Sequence, residues 1–341
     1  MTDKQPLLTV AIPTWNRSFY LENTLKQLHQ ELGDCVADNV EILISDNFSS
    51  DNTPEVVEHA KKLGLNLRSI RNRENIGSDA NIAQCFNLAS GKYVLILGDD
   101  DLFVDKALLF LLERLRTEKY GVVCIRPYGF DIDFRQEYPG AGGFEKVFRD
   151  PGLFLAEIGP LMTLISSCVI HKSVLPTIDA NDYCGENLVQ VHLVIQAALV
   201  AQENLFISRY LIACKRNNSG GYDFSKVFVE NLGHILDSYS DMGLTKKAVI
   251  AIEKHLIVGY FPFYLFKQRL NKTGDVEATY ERFSRRYHGQ LCFYLWIVPI
   301  LKLPRLLAII WGGIATIIGR SINGDLFRGF MFAVNKFLSK S

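Results

Sequence analysis

The stretch KYVLILGDDDLF, residues 92–103, decides the fold of this 341-residue chain. It opens with an apolar run that predicts a strand over residues 92–97. Gly98 and three consecutive aspartates, Asp99 to Asp101, follow at once, so the strand ends in a cluster of carboxylates. Such a cluster of negative charges needs positive charge nearby. The sequence on both sides of it indicates the kind of sheet to which the strand belongs.

Short apolar runs alternate with helix-like stretches throughout the first 126 residues. The predicted strands cover residues 7–13, 40–46, 66–70, 92–97 and 122–125, and the predicted helices cover 18–32, 51–63, 79–89 and 104–117. Ser50 or Asp51 is the expected N-cap of the second helix. This alternation predicts right-handed βαβ units and an α/β fold, a mainly parallel sheet with helices on both faces.

Ligands of such sheets bind outside the carboxyl ends of the strands. That rule directs attention to the loops at residues 13–17, 46–51, 71–81 and 98–101. Further along, a strand is predicted at 163–170 and a helix at 186–201, after a long irregular excursion. From residue 224 onward the chain is predicted to be helical, first to about 241 and then from 245 to 270. We expect a binding and catalytic domain at 1–222, a helical extension at 223–288 and a tail at 289–341.

The overall charge excludes a nucleic-acid binder held by a global positive field, because 37 basic residues balance 37 acidic ones. The balance is uneven, since residues 281–341 hold nine Lys or Arg and two acidic residues. The seven cysteines are scattered with no C-x-x-C pair, which is typical of a reduced compartment. No secretory signal is recognisable at the N-terminus, so we expect the protein in the cytosol or on a membrane facing it.

The tail contains the apolar stretch LCFYLWIVPILKLPRLLAIIWGGIATIIG, residues 291–319. Two prolines and two charges divide it into pieces that we expect to be too short to cross a bilayer. On a helix, one narrow stripe carries Lys302, Arg305, Gly312, Thr316 and Arg320. This pattern predicts a helix lying in a membrane interface with its basic side towards the headgroups, followed by a second amphipathic helix at 327–337. Packing on the protein's own domain, or in a dimer interface, is the alternative.

The aspartate triplet is the strongest chemical signal. Three adjacent carboxylates repel one another unless a cation neutralises them. Hard oxygen ligands of this kind suit Mg²⁺ or Mn²⁺, which commonly takes its remaining ligands from water and a substrate diphosphate. The alternative is that Asp101 caps the following helix while its neighbours are solvated. A cap needs only one aspartate, so the triplet favours the metal.

Four blocks of sequence resemble the nucleotide-sugar-binding half of family 2 glycosyltransferases with the GT-A fold. They are VAIPTWNR (10–17), ILISDNFSSDNT (42–53), RNRENIGSDANI (71–82) and GKYVLILGDDDLF (91–103). Asp99 to Asp101 matches the D-x-D motif, and the abequosyltransferase-like subgroup is the most similar. The resemblance implies a metal-dependent, inverting enzyme. It would move a sugar from a nucleoside-diphosphate-sugar donor to a glycan or lipid-linked glycan in bacterial surface polysaccharide assembly.

Carried over position by position, the resemblance also implies a set of site residues. Those expected to bind the nucleotide sugar are Pro13, Thr14, Asn16, Arg17, Asp46, Arg71, Asn75, Gly77, Asp99, Asp100 and Arg216. Asp46 would bind the base or ribose, and Gly77 would permit close backbone approach. Asp101 would hold the metal, together with Asp99. The role of Asp79 stays open, because it is also placed to cap the next helix.

Inversion requires a base that removes the proton of the acceptor hydroxyl. The family supplies a carboxylate near a helix start in the acceptor half, and here the candidates lie in residues 181–199. Glu186 is the first choice, ahead of Asp182 and His192. Each has an alternative, since Glu186 can complement a helix dipole and His192 can be a hydrogen-bonded core residue. The polar loop 217–222 after Arg216 is either a lid over the donor or an ordinary turn.

Two rival functions remain open at this point. A sugar-phosphate nucleotidyltransferase has a similar sheet but usually a Gly-rich basic loop after the first strand, where this chain has PTWNR. A membrane-associated scaffold or inactive relative would bind a sugar nucleotide without turning it over, against which the intact aspartates argue. The expected partners are the donor, the glycan acceptor and an anionic membrane surface, with a homo-oligomer possible and no nucleic acid. The expected location is the cytoplasmic face of the inner membrane.

Overall fold

The computed structural model describes residues 5–36, 39–140, 142–216 and 221–322. The chain forms two compact units. The first comprises Met1–Phe154 with Leu161–Ser219, and the second comprises Leu155–Pro160 with Gly220–Ser341. The first unit is an α/β sheet structure and the second is helical. The division of the helical part at residue 288 stays a prediction.

The described part of the first unit contains nine strands in one sheet. They are β1 (Leu8–Thr14), β2 (Val40–Asp46), β3 (Leu67–Arg71), β4 (Tyr93–Ile96), β5 (Leu102–Phe103), β6 (Tyr120–Phe130), β7 (Glu145–Phe148), β8 (Cys168–His171) and β9 (Glu203–Lys215). The helices between them are α1 (Ser18–Val36), α2 (Thr53–Lys62), α3 (Ser78–Leu88), α4 (Ala107–Leu115), α5 (Pro151–Ile158) and α6 (Val189–Val200).

The sheet has the order β3-β2-β1-β4-β8-β6-β9-β5, with β7 paired to β9. The first four strands in this order are parallel to one another. β8 then runs antiparallel to both β4 and β6, while β6 and β9 are parallel. The predicted α/β fold is therefore confirmed, and the sheet is mixed beyond β4 where the sequence predicted a mainly parallel one.

The core of this unit lies between the sheet and its helices. Leu8, Val10 and Ile12 of β1 are fully buried against apolar side chains of α1. Alternate residues of a strand point to opposite faces, and Ala11 and Leu43 on the other face are fully buried as well. Burial on both faces explains why β1, β2 and β4 are continuous apolar runs. It also fixes the register in which their carboxyl ends line up.

Most elements predicted in the first 126 residues are found within one to three residues of their predicted ends. The N-cap of α2 is Asn52 rather than Ser50 or Asp51. The Asp51 carboxylate instead accepts hydrogen bonds from the amides of Thr53 and Ser18. The strand predicted at 163–170 is reduced to β8, because the residues before it form short 3₁₀ turns, Gly159–Thr163 and Ile165–Ser167.

The second unit contains α7 (Leu232–Ser238), α8 (Lys246–His255), α9 (Phe261–Asn271), α10 (Val276–Tyr287), α11 (Val298–Lys302) and α12 (Arg305–Ile322). Single π-helical turns at Lys226–Asn231, Leu256–Tyr260 and Phe293–Ile297 lead into α7, α9 and α11. Through the second of these, α8 and α9 form one continuous helix, Lys246–Asn271. This agrees with the helix predicted from 245 to 270.

Helix α12 packs its small residues inward and leaves its large apolar residues outside. Ala308, Gly312, Ala315 and Gly319 are buried. A side chain added at Gly312 or Gly319 would meet Phe266 or the Val258 carbonyl of the α8–α9 helix. The opposite face exposes Leu306, Leu307, Ile310, Ile314, Ile317 and Ile318, each between 41% and 71% exposed.

Two expectations about the tail need correction. The predicted basic stripe is only partly exposed, because Gly312 is buried. Lys302 and Arg305 are exposed, but Lys302 pairs with Glu277 and Arg305 donates to the carbonyls of Arg269 and Leu270. The apolar pieces are also longer than expected. By length and composition alone, both Arg305–Ile322 and Lys246–Asn271 are long and apolar enough to cross a membrane. Within the most apolar part of Lys246–Asn271, however, 44% of the residues are buried in the protein. The helix predicted at 327–337 lies outside the described residues.

Candidate active site

The predicted binding loops follow the carboxyl ends of β1, β2, β3 and β4, which lie side by side and point the same way. Thr14 at the end of β1 is in register with Asp46 at the end of β2. The Thr14 hydroxyl donates to Asp99 Oδ2 at 2.8 Å, which joins the end of β1 to the loop after β4. The strand ends thus assemble residues that are up to 85 positions apart in the chain.

The first two aspartates of the triplet share one guanidinium. Arg17 Nε lies 2.9 Å from Asp99 Oδ1, and Arg17 Nη2 donates to Asp100 Oδ2 at 2.6 Å. Asp99 is buried, with 5% of its surface exposed. Arg17 therefore supplies within the protein part of the positive charge that three adjacent carboxylates require.

Asp101 is held by groups from distant parts of the chain. Its Oδ2 accepts a 2.5 Å hydrogen bond from Ser166, and its Oδ1 accepts a 3.2 Å hydrogen bond from the backbone amide of Lys215. Ser166 also accepts from the amide of Gly98. The Thr24 hydroxyl donates to the carbonyls of Asp99 and Asp101. The loop after β4 is thereby fixed from three sides before any ligand arrives.

Burial raises the pKa of Asp99 to about 7, against the opposing influence of Arg17. Burial, followed by the charge of Asp100, raises the pKa of Asp101 to about 6. Burial is the largest cause of both shifts in pKa, and a positive charge nearby would favour the ionised carboxylates. A divalent cation with hard oxygen ligands suits such a site. Among the described residues no group of three or more His, Cys, Asp or Glu side chains is arranged to hold a metal, and Mg²⁺ sites commonly need only one or two carboxylates beside substrate phosphates.

Asp46 and its neighbours form a second group around Ser49. Asp46 Oδ1 accepts from the amide of Ser49, whose hydroxyl accepts from the amide of Asn16 and whose carbonyl accepts from Arg71. Asp46 is 4% exposed. Its Oδ2 is buried without a hydrogen-bond donor among the described residues, and Arg71 Nε lies 3.5 Å away. A buried acceptor of this kind is costly and calls for a partner.

The loop after β3 is organised by Asn47. Its amide nitrogen donates to Asn75 Oδ1 and to the Gly77 carbonyl, and its amide oxygen accepts from the amide of Ile76. Gly77 has φ +86, a backbone conformation that glycine adopts without strain. Pro13 lies in β1 opposite Ser45. The predicted residues Asn75 and Gly77 are thus brought to the same sheet edge as Asp46.

Two of the three candidate bases are in contact. Glu186 Oε2 lies 3.1 Å from His192 Nε2, and the His192 ring stacks on Tyr183 with centroids 4.5 Å apart. His192 is 8% exposed and contacts Glu186, so it is buried and hydrogen-bonded, and its part in catalysis stays a prediction. Asp182 is exposed in the turn Ala180–Tyr183, and its amide donates to the Asp179 carbonyl.

Arg216 lies in a different environment from the aspartates. Its guanidinium is within 3.3 Å of Asp131 and 3.1 Å of Glu137. Residues 217–220 of the predicted lid lie outside the described residues. A role for Arg216 in donor binding therefore stays a prediction, and in this structure its charge is balanced by two carboxylates of the segment after β6.

Sequence reasoning missed three polar residues that organise the site, Ser49, Asn47 and Ser166. The first two lie in the block ILISDNFSSDNT and come directly after Asp46, so their position was a usable signal. Ser166 lies 65 residues from the carboxylate that it contacts. Nothing in the local pattern of residues 163–170 separates Ser166 from its neighbour Ser167.

The mixed sheet, with carboxylates at the ends of its parallel strands, agrees with the GT-A fold that the sequence blocks imply. Residues 9–175 match the family model of Glycosyl transferase family 2. Residues 9–175 are therefore a glycosyltransferase family 2 domain, and the protein is a glycosyltransferase.

The chain is similar to named glycosyltransferases over part of its length. An abequosyltransferase of Salmonella typhimurium is 28% identical over 227 residues, covering 62% of this chain and 67% of that protein. A GalNAc(5)-diNAcBac-PP-undecaprenol beta-1,3-glucosyltransferase of Campylobacter jejuni is 33% identical over 142 residues, covering 40% of this chain. That alignment spans only 43% of the second relative's length.

Solved structures share the fold over most of the chain. The structure of S. aureus TarS in complex with UDP-GlcNAc has a TM-score of 0.60 and 16% identity, and the match covers 92% of this chain and 91% of that one. A mannosyltransferase of Pyrobaculum calidifontis in complex with GDP-Man and Mn2+ has a TM-score of 0.53 and 16% identity, covering 99% and 89%. At this level of identity the likeness establishes the fold.

Proposed function

We propose that the protein transfers a sugar from a nucleoside-diphosphate-sugar to a lipid-linked glycan in bacterial surface polysaccharide assembly, with inversion and with the help of Mg²⁺ or Mn²⁺. Asp46 Oδ2 carries this proposal, because it is buried and accepts no hydrogen bond among the described residues, with Arg71 Nε 3.5 Å away. The buried aspartates on the other side of β1 support it. Neighbouring strands lie about 4.8 Å apart, so the ends of β2 and β4 are about 10 Å apart. A nucleoside at Asp46 then extends its diphosphate towards Asp99 and Asp101.

The relatives support the donor, the acceptor and the cation. TarS was solved with UDP-GlcNAc and the Pyrobaculum enzyme with GDP-Man and Mn2+, which supports a nucleotide sugar and a divalent cation here. The name of the Campylobacter relative specifies a sugar chain on an undecaprenol diphosphate, which supports a lipid-linked acceptor. We assign the nucleoside pocket to Pro13, Thr14, Asn16, Asp46 and Arg71.

Two aspartates hold the cation in this proposal. Asp101 would be the direct ligand and Asp99 would act beside it, with the donor diphosphate completing the set. When bound, the cation stabilises the negative charge that develops on the leaving diphosphate. Ser166 and the Lys215 amide keep the Asp101 carboxylate in place, and Arg17 balances Asp99 and Asp100. Binding therefore needs little rearrangement of the loop backbone.

The acceptor proton is assigned to the pair Glu186 and His192. Their contact at 3.1 Å lets Glu186 take the acceptor proton and share it with His192, where the Glu186 carboxylate balances the charge of the protonated ring. Glu186 remains the first choice for direct contact with the acceptor hydroxyl, because it is the more exposed of the two side chains, at 28% against 10%. Asp182 is the remaining candidate.

The exposed apolar face of α12 supports a place at the membrane. This helix packs its small residues inward and exposes leucine and isoleucine on its outer side. Exposure of that apolar surface to water is unfavourable. The headgroup and acyl boundary of a bilayer supplies one. We infer a monotopic protein on the cytoplasmic face of the inner membrane, where its acceptor is anchored.

A donor panel tests the proposal. Purified full-length protein is incubated with UDP-, GDP-, CDP- and dTDP-sugars, with and without Mn²⁺, and released nucleoside diphosphate is measured. We expect one nucleotide class to be turned over and EDTA to stop the release. Tight binding of a sugar nucleotide without any release, in the presence of membranes and Mn²⁺, would identify an inactive relative and contradict the proposal.

A further inference from the structure

Asp79, in the first turn of α3, has no part in the chemistry proposed above. Its Oδ2 accepts a 2.8 Å hydrogen bond from the amide of Gly185 and another from the amide of Asn187. One carboxylate oxygen thus holds the backbone on both sides of Glu186, more than 100 residues further along the chain. Hydrogen bonds to an ionised acceptor are about twice as strong as neutral ones.

The turn that Asp79 holds has an unusual backbone. Gly185 has φ +117 and Asn187 has φ +59, so both flanks of Glu186 adopt left-handed conformations. A side chain added at Gly185 would meet nothing within 4 Å. A glycine is therefore favoured at this position by the backbone conformation and not by a lack of space. Such conformations persist where the surroundings impose them. Converging amides around an anion are one way to do so.

The conformation of this turn determines where the Glu186 side chain goes. Glu186 meets His192 at 3.1 Å, and His192 lies on α6, buried and stacked on Tyr183. The histidine is thus fixed by its helix and by the ring beneath it. The glutamate sits on a short turn whose geometry depends on the two hydrogen bonds to Asp79.

The same helix holds the beginning of this segment. Asn87, at the other end of α3, donates to Asp179 at 2.6 Å and accepts from the amide of Ala180 at 2.9 Å. Asp79 and Asn87 are therefore two anchors of residues 179–187 on one rigid element. Only the Asp79 anchor lies at the Glu186 turn, so the two can be separated by mutation.

We propose that Asp79 is a positioning residue of the transfer reaction, holding the turn at residues 184–187 so that Glu186 and His192 form the pair that takes the acceptor proton. The proposal rests on the proposed function in treating this pair as the base. Asp79 lies two residues after Gly77. The N-terminal end of α3, which borders the predicted nucleotide-binding loop, would therefore also position Glu186.

Histidine ring resonances test the positioning without any substrate. Full-length protein labelled with ¹³C and ¹⁵N at histidine is compared with Asp79→Ala and Glu186→Gln, and His192→Asn assigns the His192 signals. We expect Asp79→Ala to move the His192 resonances in the same direction as Glu186→Gln does. Asp79→Asn, which keeps an acceptor oxygen, should restore most of the wild-type position. Asn87→Ala is the matched control and should leave these resonances unchanged.

Turnover is measured in parallel as hydrolysis of the donor, with water as the acceptor. The donor is UDP-N-acetylglucosamine or GDP-mannose, whichever the wild type hydrolyses, and the released UDP or GDP is quantified. For Asp79→Ala we expect kcat to fall by about 10-fold to 100-fold, the scale of a small misplacement of a catalytic group. The KM for the donor and the Kd for its nucleoside diphosphate should not change. Asn87→Ala should keep the wild-type kcat.

Each other outcome contradicts a particular step. If the His192 resonances of Asp79→Ala match the wild type, Asp79 only complements the dipole of α3 and the proposal is overturned, whatever the rate. If the resonances move while kcat stays at the wild-type value, the pair is placed by Asp79 but is not the base, which overturns the positioning role in catalysis. A wild type that binds no sugar nucleotide overturns the proposed function itself, and this result is read before any variant is compared.

Discussion

At the scale of single residues, Asp101 is the position where removal of one charge has the clearest expected effect. We expect Asp101→Asn to lower kcat by about 10²-fold or more, because a cation that stabilises the leaving diphosphate contributes several kcal/mol. The substitution preserves the size of the side chain and removes a charge whose burial is unfavourable. The melting temperature should therefore be unchanged or slightly higher.

Asp105→Asn is the matched control for Asp101→Asn. Asp105 belongs to the same stretch of chain but pairs with Arg135 at the surface. The Asp105→Asn variant should keep the wild-type kcat and the wild-type response to Mn²⁺. If Asp101→Asn turns over donor at the wild-type rate under limiting Mn²⁺, Asp101 is not the metal ligand.

Asp46 allows a sharper test than deletion of its side chain. In Asp46→Asn the oxygen that accepts from Ser49 can be kept, while Oδ2, which lies 3.5 Å from Arg71 Nε and accepts no hydrogen bond among the described residues, becomes an amide nitrogen that cannot accept. We expect the Kd for the preferred nucleoside diphosphate among UDP, GDP, CDP and dTDP to rise by about 5-fold to 150-fold, equivalent to about 1–3 kcal/mol. Calorimetric titration measures it, with Asp105→Asn again as control. Equal Kd values would place Asp46 outside the nucleoside pocket.

Residue identities at the site could be predicted where a motif and a strand end coincide. Asp46, Asp99 and Asp101 each follow an apolar run directly, so the sheet edge is implied by the sequence order alone. Ser166 could not be found in this way, because it reaches Asp101 only through a fold that brings residues 65 positions apart into contact. The left-handed conformation of Asn187 likewise depends on Asp79, which is distant in sequence.

At the scale of elements, the glycines of α12 make a matched pair. A Cβ at Gly319 would lie 2.2 Å from the Val258 carbonyl oxygen, whereas a Cβ at Gly313 would meet nothing within 4 Å. We expect Gly319→Ala to lower the free energy of unfolding by about 1–3 kcal/mol, the usual cost of overpacking. Gly313→Ala should be neutral or stabilising by up to about 1 kcal/mol, through helix propensity.

Calorimetric unfolding of the full-length protein compares the two glycine variants. The helical unit should show the lower transition for Gly319→Ala and an unchanged or higher one for Gly313→Ala. Identical transitions for the two variants would mean that α12 does not pack on the α8–α9 helix in solution.

Elements were predictable where hydrophobic period and length agree. The buried strands β1 and β2 and the continuous helix Lys246–Asn271 all match their predicted ranges closely. β7 was missed because EKVF, at Glu145–Phe148, is short and largely exposed, and its pairing with β9 lies off the main strand order of the sheet. The insertion of β8 between β4 and β6 was missed as well, since an antiparallel partner leaves no signature in a four-residue apolar run.

At the scale of the whole molecule, the tail cannot be removed as a separate anchor. Phe293, Ile297 and Ile300 are fully buried within the helical unit, and Leu301 is nearly so. Truncation after His288 would delete these core side chains and destabilise the unit. The test of membrane binding therefore needs point substitutions on the outer face of α12, which leave the packed side of the helix intact.

Membrane binding should depend more on apolar contact than on charge. Lys302 is neutralised by Glu277, and Arg305 is bound to backbone carbonyls, so these two cations have less to offer anionic lipid than their number indicates. We expect wild-type protein to co-float with phosphatidylethanolamine–phosphatidylglycerol vesicles and to be only partly released by high salt. The double variant Ile310→Glu/Ile314→Glu should bind about tenfold or more weakly, because each isoleucine loses apolar burial in the bilayer boundary.

The control for this variant has the same chemical change on the first unit. Ile132 and Leu153 are 90% and 61% exposed, so Ile132→Glu/Leu153→Glu adds two negative charges at exposed sites of the first unit. It should bind vesicles nearly as well as the wild type, whereas general repulsion from anionic lipid would weaken both variants alike. Sedimentation velocity without lipid tests the remaining explanation, which is that the apolar face of α12 forms a dimer interface. If Ile310→Glu/Ile314→Glu splits a wild-type dimer and leaves vesicle binding unchanged, the apolar face of α12 is a subunit interface and the membrane assignment is wrong.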